Sequence, residues 1–207
     1  MWIVKIGGSL LGAAELTHWL DMIARHGDGK VVIVPGGGVF ADAVREAQQA
    51  SNVSDAVAHE LALLAMDQFG LLLAGMNPAL ATARSELEIA ERGWQHRGII
   101  WLPSAMALAD SSIPQNWQVS SDSLSAWLAA KLGATQLIIV KSKALTGYAN
   151  PVHVQTLVDD DVLDPQFVAF AAAAGIPSCL LHKADHHLFT AGFTQSALQQ
   201  AAVRVSF

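Results

Sequence analysis

Five runs of four to six mostly apolar residues recur along the chain, at Trp2–Ile6, Lys30–Val34, Ile99–Leu102, Gln136–Lys141 and Ser178–His182. They are rich in Val and Ile, show no strict alternation, and are bounded by Gly or Pro. Strands covered on both faces read this way. Helical patterns lie between them, at Leu16–Ala24, Ala41–Gln49, Asp55–Ala74 and Ser123–Leu132, the last stopped by Gly133. Asp164-Pro165 reads as a cap followed by a first-turn proline, opening a helix that ends at Gly175. Alternation of this kind from end to end predicts a three-layer α/β/α sandwich with a mainly parallel central sheet. No repeat, low-complexity linker or shift in composition divides the chain, so residues 1–207 are expected to form one domain.

Composition narrows the class of partner. Apolar residues make up 52% of the chain and charged residues 14%, which suits a large core and leaves little polar cover. Apolar surface shared in a homo-oligomer is therefore expected, the alternative being an Ala-rich interior. A net charge of −6 with no basic stripe argues against nucleic acid as partner. The one cysteine, Cys179, excludes an internal disulfide and fits a reducing compartment. The first residues have no basic segment leading into an apolar one, and the uncharged stretch 68–83 is short and broken by Gly75, Asn77 and Pro78. A cytoplasmic protein without a membrane span is the expectation.

Two glycine loops carry the chemistry. The first, Lys5-Ile6-Gly7-Gly8-Ser9, stands where strand one passes into its helix. Backbone N–H groups can approach an anion closely there, and Lys5 on the strand end can reach a phosphate. A tight turn beside a solvated lysine explains the first loop alone equally well. The second loop, Pro35-Gly36-Gly37-Gly38, again follows a strand directly. Three consecutive glycines carry a backbone-entropy cost that a mere turn rarely needs, and a nest of free N–H groups facing an anion accounts for it. Together the loops predict a paired cradle, one for each side of a transferring phosphoryl group.

Two other phosphate motifs fail. Gly7-x4-Gly12 is followed by Ala13-Ala14 rather than Lys-Ser/Thr, so no P-loop is present. Gly36-x-Gly38-x-x-Ala41 satisfies a dinucleotide fingerprint, the mark of a nicotinamide dehydrogenase. That fold needs a strand ending in an acid about 20 residues on. Asp55–Ala74 is helical in pattern instead.

Lys-x-Gly-Gly-Ser at the start, Pro-Gly-Gly-Gly after strand two, and Ser-Asp-Ser-Leu-Ser-Ala-Trp-Leu-Ala at 121–129 together resemble the amino acid kinase family. The resemblance covers roughly residues 2–147. It implies an ATP-dependent small-molecule kinase, with Mg2+ held mainly by the triphosphate oxygens. It further implies that Lys5 neutralises charge on the moving phosphoryl group and that Gly7, Gly8 and Ser9 hold nucleotide phosphates. Gly36, Gly37 and Gly38 would face the acceptor, and Asp122 would orient the catalytic lysines. An N-cap is the plain alternative for Asp122, and Asp can serve as both.

After the strand at 137–140 the family presents a Ser/Thr-Asp-x-x-Gly segment near the nucleotide, where this chain reads Lys141-Ser142-Lys143-Ala144-Leu145-Thr146-Gly147. Lys141 and Lys143 are thus both open as the second catalytic lysine, with Gly147 closing the segment, and a noncatalytic nucleotide-binding protein is the alternative function. The compact length and the helix His59–Gln68 resemble the short members that phosphorylate a phosphorylated furan alcohol in methanopterin biosynthesis. His59, with Asp67 eight residues on, is a candidate for the acceptor side, against an ordinary helix with two polar positions. Trp94, Trp101, Trp117 and Trp127 are stacking candidates or core residues. His182, His186 and His187 read as a polar loop or interface cluster, and no protein-held metal is expected.

Overall fold

A computed structural model describes the backbone of residues 1–207 and all side chains except those of Ala173 and Ala174. The first strand, β1 (Trp2–Ile6), leads through the glycine turn into α1 (Ala14–His26). β2 (Val31–Pro35) runs into α2 (Gly38–Ser51), and α3 (Asp55–Met76) follows, capped by the Ser54 side chain. Then come β3 (Leu80–Ala83), α4 (Glu86–Trp94), β4 (Gly98–Trp101) and α5 (Ser104–Leu108). The buried helix α6 (Ser121–Lys131) precedes β5 (Gln136–Lys141). The remainder comprises β6 (Val152–His153), α7 (Val154–Asp159), α8 (Phe167–Ala174), β7 (Ser178–His182), α9 (Gln195–Leu198) and β8 (Val203–Ser206).

The strands join in the order β3-β4-β2-β1-β5-β7-β8-β6. The first six are parallel; β8 turns antiparallel to β7 and carries the short β6 beside it. All five expected strands stand where their apolar runs lie. β3, β6 and β8 escape a reading by apolar runs because they are two to four residues long and lie toward the sheet edges.

The two faces of the sheet follow from strand parity. Val4, Ile6, Ile33, Ile138 and Val140 pack on one side against Leu16, Trp19, Leu20 and Ile23 of α1. Ile3, Val32, Val34, Leu137 and Ile139 point to the other side, into α6. α6 is buried from Asp122 to Ala129 because the sheet covers one flank and α8 the other. Lys5 shares parity with Ile3, and Lys141 with Leu137 and Ile139. Both lysines therefore emerge on the α6 side, at the carboxyl ends of adjacent strands.

α3 is long and apolar enough, by length and composition alone, to cross a membrane. Half of its apolar stretch is buried in the fold, with Phe69 and Leu73 in the core. Gly70 lets it lie close to the sheet, since a methyl there would sit 2.6 Å from Leu102.

Candidate active site

The two glycine loops touch backbone to backbone. A Cβ on Gly8 would fall 2.1 Å from Gly38 Cα, and one on Gly36 would fall 2.5 Å from the Gly8 nitrogen. Neither position has room for a side chain, which accounts for glycines that turn geometry alone does not demand. The Gly36 N–H donates to the Ile6 carbonyl at 2.8 Å and closes the seam. Gly38, at φ +55, opens α2, and no side chain caps that end, so its first N–H groups stay available to an anion.

Beneath this seam lies a buried charge cluster. Lys5 Nζ stands 2.9 Å from Asp122 Oδ1, and Lys141 Nζ donates to Asp122 Oδ2 at 2.7 Å. Lys5 is 7% and Asp122 5% exposed, so these charges are almost fully removed from water. The Lys5 contact is an ion pair without hydrogen-bond alignment, and Oδ1 has no hydrogen-bond partner. Burial drives the Asp122 carboxyl upward, but Lys5 and then Lys141 outweigh it and hold it below the usual carboxylate range. Burial likewise pulls Lys141 below the ordinary lysine value, with Asp122 opposing.

Asp122 is placed by the opening turn of α6. Ser120 Oγ accepts from the Asp122 N–H at 3.1 Å, so Ser120 is the cap and Asp122 stands free to face the lysines. Asp164 locks this turn from outside. Its carboxylate accepts from the Ser120 and Ser123 N–H groups at 3.2 and 3.0 Å, from both hydroxyls, and from the Phe167 N–H at 2.9 Å. α8 begins only at Phe167 with Gln166 at its N-cap, so Pro165 lies in the turn before the helix and not in its first turn; Asp164 still ties α8, through the Phe167 N–H, to the turn that carries Asp122. Sequence reasoning did not assign that task, and nothing local to Asp164 signals it.

Two cavities flank Gly8 and Ser9, and Ser9 lines both. The smaller, about 200 Å³, is walled by Lys5, Gly7, Lys141, Ser142, Lys143 and Asp161. Ser9 and Ser142 bring their hydroxyls to 3.2 Å across it. The larger, about 470 Å³, opens between Gly37-Gly38, the exposed side of α2, Met66 of α3, Trp117 and Ser120-Ser121.

The expected site residues separate accordingly. Lys5, Gly7, Ser9, Lys141 and Lys143 gather at the small cavity, and Gly8, Gly37 and Gly38 at the large one. Lys143 is exposed there, whereas Lys141 is the lysine that pairs with Asp122. Gly36 lies under the seam rather than in a lining. Gly147, at φ +96, sits in an exposed turn outside both linings. His59 is buried beside the Asn116 backbone, and burial lowers its pKa. It lies outside the lining of the large cavity. Asp67 accepts from the Ser104 N–H and hydroxyl, fastening α5 to α3.

Of the tryptophans, only Trp117 lines the large cavity; Trp101 and Trp127 stack in the core and Trp94 is exposed. His182 caps the 3-10 turn that follows β7, and His186 packs on His18 and Trp19.

Comparison with known proteins agrees with this geometry. The model of the "Amino acid kinase family" matches residues 1–144, which span both glycine loops, Asp122 and Lys141. The chain belongs to the amino acid kinase family. A curated relative is the [5-(aminomethyl)furan-3-yl]methyl phosphate kinase of Methanocaldococcus jannaschii, 35% identical over 145 residues. The match takes in 67% of this chain and 64% of that relative's length. The fold is that of uridylate kinase from Archaeoglobus fulgidus, with TM-score 0.71, 15% identity and 99% of each chain covered. Aspartate kinase from Synechocystis aligns with TM-score 0.65 and 17% identity over 88% of this chain and 38% of its own. Fold class and family are thus as the motifs led one to expect.

Proposed function

We propose that this amino acid kinase transfers the γ-phosphoryl group of ATP to the phosphate of a small phosphomonoester, building a diphosphate. The acceptor we assign is the [5-(aminomethyl)furan-3-yl]methyl phosphate of the archaeal relative's name. The observation that carries the reading is the buried Lys5–Asp122–Lys141 cluster beneath a glycine seam with a cavity on each side.

In this reading the nucleotide phosphates enter the small cavity, on the Gly7-Gly8-Ser9 backbone with Lys5 and Lys141. The acceptor phosphate lies across the seam, on Gly37-Gly38 and the open end of α2. An acceptor oxygen attacks the γ-phosphorus, the bond to the β–γ bridging oxygen breaks, and ADP leaves. An ionised phosphate has no proton to lose, so the step asks for positioning and positive charge rather than for a base. Asp122, with a lysine on each oxygen, holds the two ammonium groups in place instead of moving a proton.

No cluster of three or more His, Cys, Asp or Glu suited to a metal occurs among the described residues. In this reading Mg2+ is carried mainly on the triphosphate oxygens, and Asp161 is the carboxylate of the small cavity's lining that could face it. When bound, the ion neutralises phosphate charge.

A noncatalytic nucleotide-binding role drew its support from Lys143, which stands where the family has an acid after β5. Lys143 stays exposed at the small cavity, while the Lys141–Asp122 pair supplies a second buried lysine and favours catalysis. Self-association has support in α3, where Val57, Leu61, Leu64, Leu71 and Leu72 form an exposed apolar stripe suited to a second copy. The reading places the whole chain, as one domain, in the cytoplasm, consistent with its buried free cysteine.

The test is 31P NMR of the protein with ATP, Mg2+ and the furan phosphate. Paired resonances of a new diphosphate monoester growing with ADP are expected. ATP that stays intact, or that yields only inorganic phosphate, contradicts the reading.

A further inference from the structure

The large cavity is charged at one place only. Among the described residues, its lining holds one carboxylate, Asp42, and one cation, Arg45. Both project from the α2 face that begins at Gly38, since positions 38, 42 and 45 recur at helical spacing. Asp42 lies one turn beyond Gly38, a rise of about 6 Å. A carboxylate at that distance from an anion-binding helix end is unfavourable for a ligand of negative charge alone. It suits a ligand whose far end is positive.

The carboxylate pairs with its neighbour on the same helix. Arg45 Nη1 donates to Asp42 Oδ1 at 2.9 Å, while its guanidinium lies 4.5 Å from the centre of the Trp117 ring. Trp117 is pinned in turn, its Nε1 donating to Gln48 Oε1 at 2.6 Å. Asp42 Oδ2 has no protein partner among the described contacts. Met66, Val39 and Trp117 supply apolar walls along the cavity beside α2.

We infer that Asp42 binds a cationic group at the far end of the acceptor, so that this kinase selects amine-bearing phosphomonoesters. The inference rests on the assignment of the large cavity to the acceptor. The acceptor phosphate lies at Gly37-Gly38, a small ring lies along the apolar walls, and an ammonium meets Asp42 Oδ2. Arg45 acts through Asp42 and is a positioning residue. Because Asp42 is exposed, its pair with Arg45 adds little to folding, and its replacement leaves the fold intact.

The experiment compares the aminomethyl furan phosphate with its methyl analogue, which lacks only the amine, in the wild type, Asp42→Asn and Asp42→Glu. For the wild type, kcat/KM is expected to favour the amine by about tenfold, the scale of one charge-assisted contact. In Asp42→Asn that preference collapses, through a higher KM for the amine with kcat little changed; Asp42→Glu restores part of it. Calorimetric binding of the two acceptors to the same proteins, without ATP, repeats the comparison apart from turnover. An undiminished amine preference in Asp42→Asn overturns the role of Asp42. A wild type that binds and phosphorylates neither acceptor overturns the functional reading itself, and the inference with it.

Discussion

The two sides of the glycine seam handle charge in opposite ways. On the nucleotide side, Lys5 and Asp122 are buried with Lys141 close beside them, and each charge is tolerated only because the others are present. On the side proposed for the acceptor, Asp42 and Arg45 are more than half exposed and paired in water. In the proposed reading, the charges that act on the reacting phosphorus are desolvated, where their fields are strong. Charges that choose a substrate can remain solvated until the substrate arrives. The seam itself is uncharged backbone, packed too closely for any side chain at Gly8.

Removing the anion from the buried side has the largest expected effect. Asp122→Ala leaves two ammonium groups facing each other out of water. It should cost about 3–5 kcal/mol of stability, the scale for breaking a buried pair, together with nearly all activity. Chemical denaturation and turnover measure the two effects. Loss of activity with unchanged stability would mean that Asp122 is more hydrated than its burial indicates. The pH dependence has a definite sign. The folded pKa of Asp122 is depressed, so its stabilisation is complete above the unfolded carboxylate value near 3.8 and is lost as pH falls through the lower folded value. Asp122→Asn should remove that part of the acid transition.

A smaller effect separates the two lysines after β5. Lys141→Ala should lower kcat by about 100-fold or more, the scale of removing one positioned donor to developing charge. Lys143→Ala should mainly raise the KM for ATP, by about tenfold or less, because Lys143 lines the same cavity without joining the cluster. Burial depresses Lys141, so it loses its charge below the ordinary lysine value of 10.5. The alkaline limb of kcat/KM for ATP should therefore fall below that value, and Lys141→Arg should move it upward. Equal kinetic losses at 141 and 143 would erase the distinction.

Much of this arrangement was legible in residue order. The five central strands announce themselves because burial on both faces demands continuous apolar runs. β3 (Leu80–Ala83) holds two alanines in four residues and is half-covered, so it offers no such run. The glycine loops stood out as candidate phosphate cradles, but their contact with each other did not, because it depends on β1 and β2 being neighbours in register. The choice between Lys141 and Lys143 was open for a similar reason. Strand parity with Leu137 and Ile139 puts Lys141 on the α6 face, and α6 brings Asp122 to it only in the folded sheet. Trp117 could not be told from the other tryptophans, because its partners Arg45 and Gln48 lie about 70 residues earlier in the chain.

The single-turnover rate of Lys5→Ala at saturating ATP and acceptor bears directly on the proposal that the buried lysines of the seam accelerate phosphoryl transfer. The arrangement predicts a chemical step slowed by about 100-fold or more, with ATP still bound on the glycine backbone. A Lys5→Ala protein that transfers phosphate at the wild-type rate would contradict it.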